Sequence, residues 1–463
     1  APSPRRSHKA AGVIRGYPGH PSVDRGGRIV LHVATGAPRF RVRFHRIGAT
    51  IDVVDESAWL PGVAASAGLA DADWHWPAYP FTIGHWRSGV YVAQLLTDAT
   101  VDAPLSLAAT DAAALFVVRG DGRRALLYKL PVATYHAYNG TGGACFYSKP
   151  PRSSDPPGSR VSLQRPGGGI GGDTFGAVDH YDTTSARQTF AHWDAPFIRW
   201  LERAGYDADF CTDFDLHDGH APLATHRLLV SVGHDEYWST PMRDAVETFV
   251  TGGGNVAFFG ANLCWWRIHV VASGTAIVCH QGGPHGALDH WWPRTGANRP
   301  EDAMTGVSYR HGGGWWDGPR RTHGYVVQRE GHWAFEGTGL ADGEVFGADT
   351  SPPLAGYECD GAPLAAFDPR TGRATLVHDA RRTGTHESFE LLAVAPLSPD
   401  WDELPAREHG AAGEGLHAAT MGCYTRNGTV FTAATTDWAQ ALEQDARVAR
   451  ITQNVIERLL RAS

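Results

Sequence analysis

Apolar and polar residues alternate along the first hundred residues in the way that half-buried β-strands require. Residues 40–44 alternate strictly between apolar side chains and arginine, and residues 28–33 and 88–95 are rich in aliphatic side chains. Turns that contain glycine or proline separate these segments. Because a period of two places one face of a strand in a core, residues 1–105 are predicted to form a small N-terminal β-sandwich.

From about residue 110 the pattern changes to short apolar runs that alternate with amphipathic segments. Residues 228–232 and 256–259 are runs typical of buried parallel strands. Residues 242–250, after a potential N-cap at Ser239, have the spacing of a helix that joins these two strands. Strand–helix–strand alternation with short loops is typical of a doubly wound α/β sheet.

Further elements extend this prediction to the rest of the chain, residues 106–463. A second helix is predicted over residues 194–204, with Asp194 as its cap, and a docked amphipathic helix over residues 448–460. The stretch of about 285–400 is rich in glycine, tryptophan and histidine and is predicted to be a β-rich insertion.

Charge and hydropathy exclude two classes of partner. The 463 residues include 41 Lys+Arg and 49 Asp+Glu, a formal net charge of −8, which argues against a general nucleic-acid binder because such a protein needs a basic face. No apolar run approaches the roughly 18 residues that cross a bilayer, so no membrane partner is expected. The six cysteines form no CxxC pair, so the sequence leaves open whether they are free thiols or form disulfides. Because the chain begins at Ala1, a cytoplasmic and a secreted location also stay open.

The loop at residues 233–239 is the strongest candidate for chemistry. It follows a predicted buried strand and precedes a capped helix, and ligands of open α/β sheets bind at the carboxyl ends of strands. His234 and Glu236 are two residues apart, so an extended loop would point both side chains to the same side. A histidine with a carboxylate serves as a general acid–base pair or as part of a metal site, whereas a solvated capping loop is the alternative. Tyr237, between them and the helix, is expected to contribute little.

A second candidate is the tyrosine-rich segment over residues 134–147, which ends beside a glycine turn. Packed aromatic residues would explain it equally well. A phenol has a pKa near 10, so a tyrosinate at neutral pH needs strong stabilisation. A ferric ion provides such stabilisation because a bound cation inverts the local pKa preferences.

These two segments belong to a series of motifs in a fixed order along the chain: residues 133–139, 142–143 with Tyr147, 233–239, 260–262, 265–267, 356–361 and 435–438. In these motifs the sequence resembles the large (beta) subunit of N,N-dimethylformamidase and its wider family. The resemblance implies a core similar to that of class I glutamine amidotransferases. The predicted fold class is therefore an α/β, doubly wound, glutamine-amidotransferase-like (flavodoxin-like) core with an N-terminal small β-sandwich and β-rich insertions.

The same resemblance implies a mononuclear Fe(III) held by Tyr138, Tyr147 and Glu236. It also implies catalytic roles for His234, either as a support of the metal ligands or as an acid–base group, and for Glu358 as a further carboxylate. Three hard anionic oxygens suit Fe(III) better than zinc. The implied function is an iron-dependent amidohydrolase that cleaves the C–N bond of a small or N-substituted amide with metal-activated water. Its predicted partner is that small-molecule amide, and homo-oligomerisation and the choice of Tyr138 over Tyr135 stay open.

Two other readings are kept beside this one. The tryptophans and the β-rich N-terminal part would also suit a carbohydrate-binding or recognition protein, and a relative with the same site could run another metal-assisted, lyase-type reaction.

The glycine run at residues 167–172 matches GxGxxG but lacks a clear strand before it or helix after it, which disfavours a dinucleotide site. The Trp-Trp pairs at 265–266, 291–292 and 315–316 are candidates for shaping a pocket.

Overall fold

The structure analysed is a computed structural model of the chain, strand-rich throughout. It describes residues 13–108, 111–148, 160–176, 179–221, 223–281, 288–292, 294, 296–316, 318–320, 324–382, 384–405 and 416–461. Of the described residues, 35% lie in strands and 17% in helices. The first twelve residues, and with them the chain start on which the question of location depends, lie outside this range.

The strands and helices of the described residues have the following bounds. The strands are β1 (Ile14–Pro18), β2 (Ser22–Val23), β3 (Arg28–Thr35), β4 (Arg39–Ile47), β5 (Ile51–Glu56), β6 (Leu60–Pro61), β7 (Ala78–Thr82), β8 (Gly89–Thr97), β9 (Ala113–Val118), β10 (Leu126–Leu130), β11 (Arg160–Ser162), β12 (Ala208–Thr212), β13 (Leu228–His234), β14 (Tyr237–Ser239), β15 (Asn255–Ala261), β16 (Trp266–Val271), β17 (Ala276–Val278), β18 (Ser308–Gly314), β19 (Tyr325–Val327), β20 (Val345–Phe346), β21 (Glu358–Gly361), β22 (Leu364–Asp368), β23 (Arg373–Leu376), β24 (Glu390–Pro396), β25 (Ala418–Thr425) and β26 (Thr429–Thr432). The α-helices are α1 (Val132–Ala137), α2 (Asp194–Arg203), α3 (Asp213–His217), α4 (Thr240–Thr251), α5 (Asp302–Thr305), α6 (Trp438–Ala441) and α7 (Ala446–Leu460).

The N-terminal strands form two sheets that share an apolar core. One sheet has the order β1-β3-β7, and the other has the order β2-β9-β8-β4-β5 with β6 paired to β4. Leu31, Phe40, Val42, Tyr91 and Phe116 belong to the cluster between them and are almost fully buried. β9 extends this part of the molecule past residue 105, and the division into two domains stays a prediction.

The central sheet has nine strands in the order β12-β10-β13-β15-β26-β25-β24-β19-β20. The first five are parallel to one another. The remaining four strands join through antiparallel pairings. The sheet is therefore mixed, and the parallel half carries the carboxyl-end loops that approach the candidate site.

The prediction of a doubly wound, glutamine-amidotransferase-like (flavodoxin-like) core is wrong. The structure has many sheets and few helices, with strand residues twice as frequent as helical ones, instead of alternating layers of helix and parallel strand. The prediction extended one clear strand–helix–strand unit, in which β14 and α4 connect β13 to β15, over much of residues 106–463, and it took the type of core from the family resemblance. Among the described residues, the antiparallel strands from β18 to β25 show no such alternation, and several of them pair across long stretches of chain, as β18 does with β21 and β19 with β24.

Several individual elements predicted from periodicity are confirmed. β13, β15, α4 and α7 occur where the apolar spacing placed them, and the Ser239 hydroxyl accepts a hydrogen bond from the Met242 amide at 3.3 Å as the cap of α4. Asp194 does not cap α2. It lies in the first turn with its carboxylate buried, where it accepts hydrogen bonds from the hydroxyls of Tyr128 and Tyr135.

Two further properties bear on the open questions from the sequence. All six cysteines are buried and free in the structure. None of the described helices is long and apolar enough to cross a membrane.

Candidate functional site

The loop after β13 carries the first two site residues on a closely packed pair of strands. β13 pairs with β15 so that Gly233 lies opposite Gly260. A Cβ atom at Gly260 would lie 2.3 Å from the Gly233 carbonyl oxygen, which the backbone cannot accommodate. Gly233 itself has a φ of +69°, which favours glycine and turns the chain into the loop that presents His234 and Glu236.

A buried ion pair holds the base of this loop. The Lys129 ammonium at the end of β10 lies 2.5 Å from the Asp235 carboxylate, and both side chains are excluded from solvent. The Ser231 hydroxyl donates to the same carboxylate oxygen at 2.5 Å. The Trp238 indole donates to the Asp235 carbonyl at 2.9 Å. Asp235 thus points into the sheet, whereas its neighbour Glu236 reaches the cavity lining and His234 lies buried behind it.

Helix α1 brings the first tyrosine onto Glu236. The Thr134 hydroxyl accepts hydrogen bonds from the amides of Glu236 and Tyr237, at 3.0 and 3.3 Å, and so ties α1 to the loop. Tyr138 follows α1 directly, and its hydroxyl donates to one Glu236 oxygen at 2.9 Å. The Tyr147 hydroxyl donates to the other oxygen at 2.7 Å, and the two tyrosine rings stack with centroids 4.4 Å apart. Two phenol oxygens therefore converge on one carboxylate.

The glycine run at residues 167–172 packs against α1. A Cβ at Gly168 would meet the His136 ring at 2.4 Å, and one at Gly169 would meet the Tyr135 ring at 2.8 Å. Beside the run, the buried Arg165 guanidinium donates to the carbonyls of Asn139 and Thr141 at 2.9 and 2.5 Å. The glycine run and Arg165 thus fix the backbone on both sides of Tyr138. Glycine is needed at Gly168 and Gly169 because a side chain there would collide with the rings of α1.

Burial dominates the electrostatics of this oxygen cluster. Burial, followed by the charge of Glu236, raises the pKa of Tyr138 and of Tyr147 well above the usual value. Burial and the nearby Glu358 carboxylate raise the pKa of Glu236 to about 7, although His234 acts in the opposite direction. Both phenols keep their protons at neutral pH unless a cation replaces those protons.

His234 and Glu358 form the second half of the site. The Nε2 atom of His234 lies 2.7 Å from Glu358 and 3.3 Å from Glu236. Its Nδ1 atom lies 2.7 Å from the side-chain oxygen of Gln188, which fixes the ring orientation. Burial alone would lower the pKa of His234, but the carboxylates of Glu358, Glu236 and Asp235 together raise it above the usual value. The imidazole is therefore placed to exchange a proton with Glu358.

Glu358 reaches His234 because the strand that carries it is fixed to the C-terminal loop. The amide of Tyr357 donates to the Asp437 carboxylate at 2.5 Å, and the amide of Glu358 donates to the Thr436 hydroxyl at 3.2 Å. The Arg320 guanidinium donates to the same Asp437 carboxylate at 3.0 Å. The motif at residues 435–438 thus acts on the site through backbone positioning.

The structure brings all five predicted site residues together: Tyr138, Tyr147, Glu236, His234 and Glu358. It distinguishes the two tyrosines that the sequence left open, because the Tyr135 hydroxyl donates to Asp194 whereas the Tyr138 hydroxyl donates to Glu236. The roles of the five residues as ligands and acid–base groups stay predictions.

Sequence reasoning missed three neighbours of this cluster. The Tyr237 hydroxyl lies 2.5 Å from the Tyr147 hydroxyl and 2.7 Å from the side-chain amide of Gln281. Gln188 holds His234 from a backbone with a φ of +64°, a strained conformation for a residue other than glycine. Only the position of Tyr237 next to Glu236 offered a signal in the sequence.

The oxygen donors test whether iron fits here. Two phenol oxygens and one carboxylate are hard, anionic ligands once deprotonated, and such a set favours Fe(III) over softer ions. The Tyr138 and Tyr147 oxygens already lie within hydrogen-bonding distance of the two Glu236 oxygens. The residues therefore fit the ion that the sequence resemblance implies.

The five residues adjoin a cavity of about 960 Å³. Tyr138, Tyr147, Glu236 and Glu358 contribute to its lining, whereas His234 lies behind them and is fully buried. Of the tryptophan pairs, Trp265, Trp266 and Trp316 line the cavity, while Trp291 is buried against the guanidinium of Arg243.

Comparison with known proteins places this geometry in a family. Residues 45–452 match the family model described as N,N-dimethylformamidase beta subunit-like, C-terminal. A 90-residue segment is 31% identical to the N,N-dimethylformamidase beta subunit of Alcaligenes sp. and equally to that of Paracoccus aminophilus. Each match covers 18% of this chain and 12% of the relative, so the matched part is about an eighth of the relative's length.

A solved structure, a cycloisomaltooligosaccharide glucanotransferase of Paenibacillus sp., matches 25% of this chain and 15% of its own, with a TM-score of 0.14 and 13% identity. A match this weak carries no argument about the fold. The family model, in contrast, covers most of the chain, including every residue of the site. The chain therefore belongs to the N,N-dimethylformamidase beta subunit-like C-terminal family.

Proposed function

We propose that the chain is a hydrolase that cleaves the C–N bond of a small or N-substituted amide at a mononuclear iron site. The family is dimethylformamidase-like, which is consistent with an amide hydrolase. The observation that carries the proposal is the convergence of the Tyr138 and Tyr147 hydroxyls on the two oxygens of Glu236, next to the His234–Glu358 pair.

Tyr138, Tyr147 and Glu236 would hold the metal through their oxygens. Fe(III) bound there would supply Lewis acidity, which polarises an amide carbonyl and lowers the pKa of water. Because the two phenols are buried beside a carboxylate, they stay protonated without a cation, so metal binding must release protons. The site should therefore bind iron more tightly as pH rises.

His234 and Glu358 would move the protons. The pair takes a proton from the attacking water at Nε2 or at the carboxylate, since these atoms lie 2.7 Å apart. Water adds to the carbonyl carbon, the C–N bond breaks, and the same pair returns a proton to the leaving nitrogen. The products are a carboxylic acid and an amine, and Gln188 keeps the imidazole oriented through both transfers.

Turnover of N,N-dimethylformamide by iron-loaded protein, with formate and dimethylamine measured separately, tests the proposal. We expect both products in equal amounts and loss of both in Glu358→Gln with iron retained. An iron-loaded wild-type protein that releases neither product from any amide would contradict the proposed function. The relatives are named as subunits, and sedimentation of the native protein tests whether this chain also assembles with itself.

A further inference from the structure

The cavity at the site is much larger than a dialkylformamide requires. At about 960 Å³, it lies at the upper end of the range of about 300–1,000 Å³ that holds drug-sized ligands. The reacting amide group occupies only a few atoms at Glu236. The rest of the volume is large enough for a bulky substituent on the substrate.

Aromatic rings other than Tyr138 and Tyr147 form a further part of the cavity lining. The Trp265 ring packs edge-on against Tyr309 at a centroid distance of 5.4 Å, and the Trp266 ring stacks on His290 at 3.9 Å. Trp265, Trp266 and Tyr309 are each less than 9% exposed, so the rings support one another. We call Trp265, Trp266, Tyr309 and His290 the aromatic wall.

The aromatic wall is rigidly joined to the carboxylate. The Trp266 amide donates to the Glu236 carbonyl at 3.0 Å, and the Cys264 amide donates to the Asp235 carbonyl at 3.0 Å. β14 and β16 pair in register, with Tyr237 opposite Trp266. The position of these rings relative to the loop that carries Glu236 is therefore fixed by backbone hydrogen bonds.

The charges of the lining select against an anionic substituent. Glu236, Glu358 and Glu403 line the cavity, and Arg187 is the one lysine or arginine among its described lining residues. Arg187 is already engaged, because its guanidinium donates to Asp179 and to the Trp316 carbonyl, each at 2.7 Å. Apart from the proposed iron, the lining therefore offers an anionic substituent only carboxylates and a guanidinium that already has partners.

We propose that the site takes N-substituted amides that carry an uncharged aromatic ring, with the ring packed on the aromatic wall and the amide at Glu236. This inference rests on the proposed function and deepens it by naming the class of substrate. Aromatic rings gain from face and edge contacts with other rings in addition to the burial of their apolar area.

The test compares three formamides on iron-loaded protein: N,N-dimethylformamide, N-benzyl-N-methylformamide and N-cyclohexylmethyl-N-methylformamide. All three release an aliphatic secondary amine, so their intrinsic reactivity is similar. We expect kcat/KM for the benzyl amide to be about 100-fold higher than for the dimethyl amide, because the ring is buried. We also expect it to be about fivefold higher than for the cyclohexylmethyl amide, because a saturated ring lacks the ring–ring contact. In Trp265→Leu the benzyl-to-dimethyl ratio should fall by about tenfold, whereas in Trp333→Leu, a tryptophan outside the cavity lining, the ratio should stay at the wild-type value.

The outcomes separate the two proposals. Equal or faster turnover of the dimethyl amide, or equal turnover of the benzyl and cyclohexylmethyl amides, would overturn the aromatic inference and leave the amidase proposal intact. If no amide is hydrolysed, calorimetry of N-benzyl-N-methylformamide with the purified chain decides. Binding that weakens in Trp265→Leu would support ring recognition although the proposed reaction fails, and absence of binding would overturn ring recognition as well.

Discussion

Removal of the Lys129 ammonium should strongly destabilise the fold around the site. Lys129 and Asp235 lie 2.5 Å apart with side chains 1% and 0% exposed, so Lys129→Met leaves a carboxylate buried without its cation. At an effective dielectric constant of about 20, two unit charges at this distance attract by about 7 kcal/mol. Desolvation of both ions offsets part of this attraction, and loss of one partner of such a buried pair costs about 3–5 kcal/mol.

The structure places the expected value near the lower end of that range. The Ser231 hydroxyl still donates to Asp235 in the variant, which lowers the cost of the buried charge. We therefore expect Lys129→Met to lower the free energy of unfolding by about 3 kcal/mol. The double variant Lys129→Met/Asp235→Asn removes both charges and should recover most of the lost stability. A deficit of about 1 kcal/mol should remain, because the contact between the Lys129 ammonium and the Trp238 ring is also lost.

Urea unfolding of the metal-free protein, followed by tryptophan fluorescence at pH 7, measures these changes. Arg199→Met is the matched control, because its ion pair with Glu443 is 3.3 Å long and about 40% exposed, and such pairs contribute less than about 1 kcal/mol. A loss below about 1 kcal/mol in Lys129→Met, or a double variant that is less stable than the single one, would refute the assignment of a buried, mutually dependent pair.

Three further variants test other parts of the structure. The wild type should lose stability as the pH rises from 4 to 7, because burial raises the pKa of Asp194 to about 7 in the folded protein whereas the unfolded chain releases that proton at lower pH. Asp194→Asn should reduce this loss by at most about 4 kcal/mol. Gly260→Ala should cost about 1–3 kcal/mol or more in the same urea assay, since its Cβ would lie 2.3 Å from a backbone oxygen, whereas Gly331→Ala meets open space and should change little. Tyr237→Phe should move the visible band of the iron-loaded protein to longer wavelength, because the Tyr147 oxygen loses a hydroxyl 2.5 Å away.

Each of these expectations has a result that contradicts it. An Asp194→Asn protein whose stability depends on pH as steeply as that of the wild type would remove Asp194 as a source of that dependence. Equal stability of Gly260→Ala and Gly331→Ala would show that β13 and β15 can separate at no cost. An unchanged spectrum in Tyr237→Phe would support the sequence-based expectation that this tyrosine contributes little.

Local elements of this protein could be predicted from the sequence, whereas the architecture could not. The apolar run of β13 and the helical spacing of α4 and α7 each depend on neighbouring residues, so their periodicity is visible in the chain. The antiparallel half of the central sheet depends on pairings between distant strands, such as β24 with β19, which no local pattern reveals. Extension of the strand–helix–strand unit beyond β15 therefore produced the wrong fold class.

The candidate site shows the same division. Family resemblance, rather than spacing, named Tyr138, Tyr147, Glu236, His234 and Glu358, and the structure brings them together from four separate segments. Gln188 and Gln281 could not be identified, since each lies in a loop without periodicity and acts through one side-chain contact. The sequence predicts Asp194 as a helix cap because a local rule considers only neighbouring residues. The hydroxyls of Tyr128 and Tyr135, which donate to the Asp194 carboxylate, are about 60 residues away in the chain.

The iron content of the purified protein, measured together with its visible spectrum, tests the proposed metal site. We expect one iron per chain and a broad tyrosinate-to-Fe(III) band, both lost in Tyr138→Phe and in Glu236→Gln. Tyr135→Phe is the matched control, because this equally buried phenol bonds Asp194 and should leave iron and band in place. Zinc in place of iron, protein that stays colourless after iron is added, or a band that survives in Tyr138→Phe but disappears in Tyr135→Phe would contradict the account.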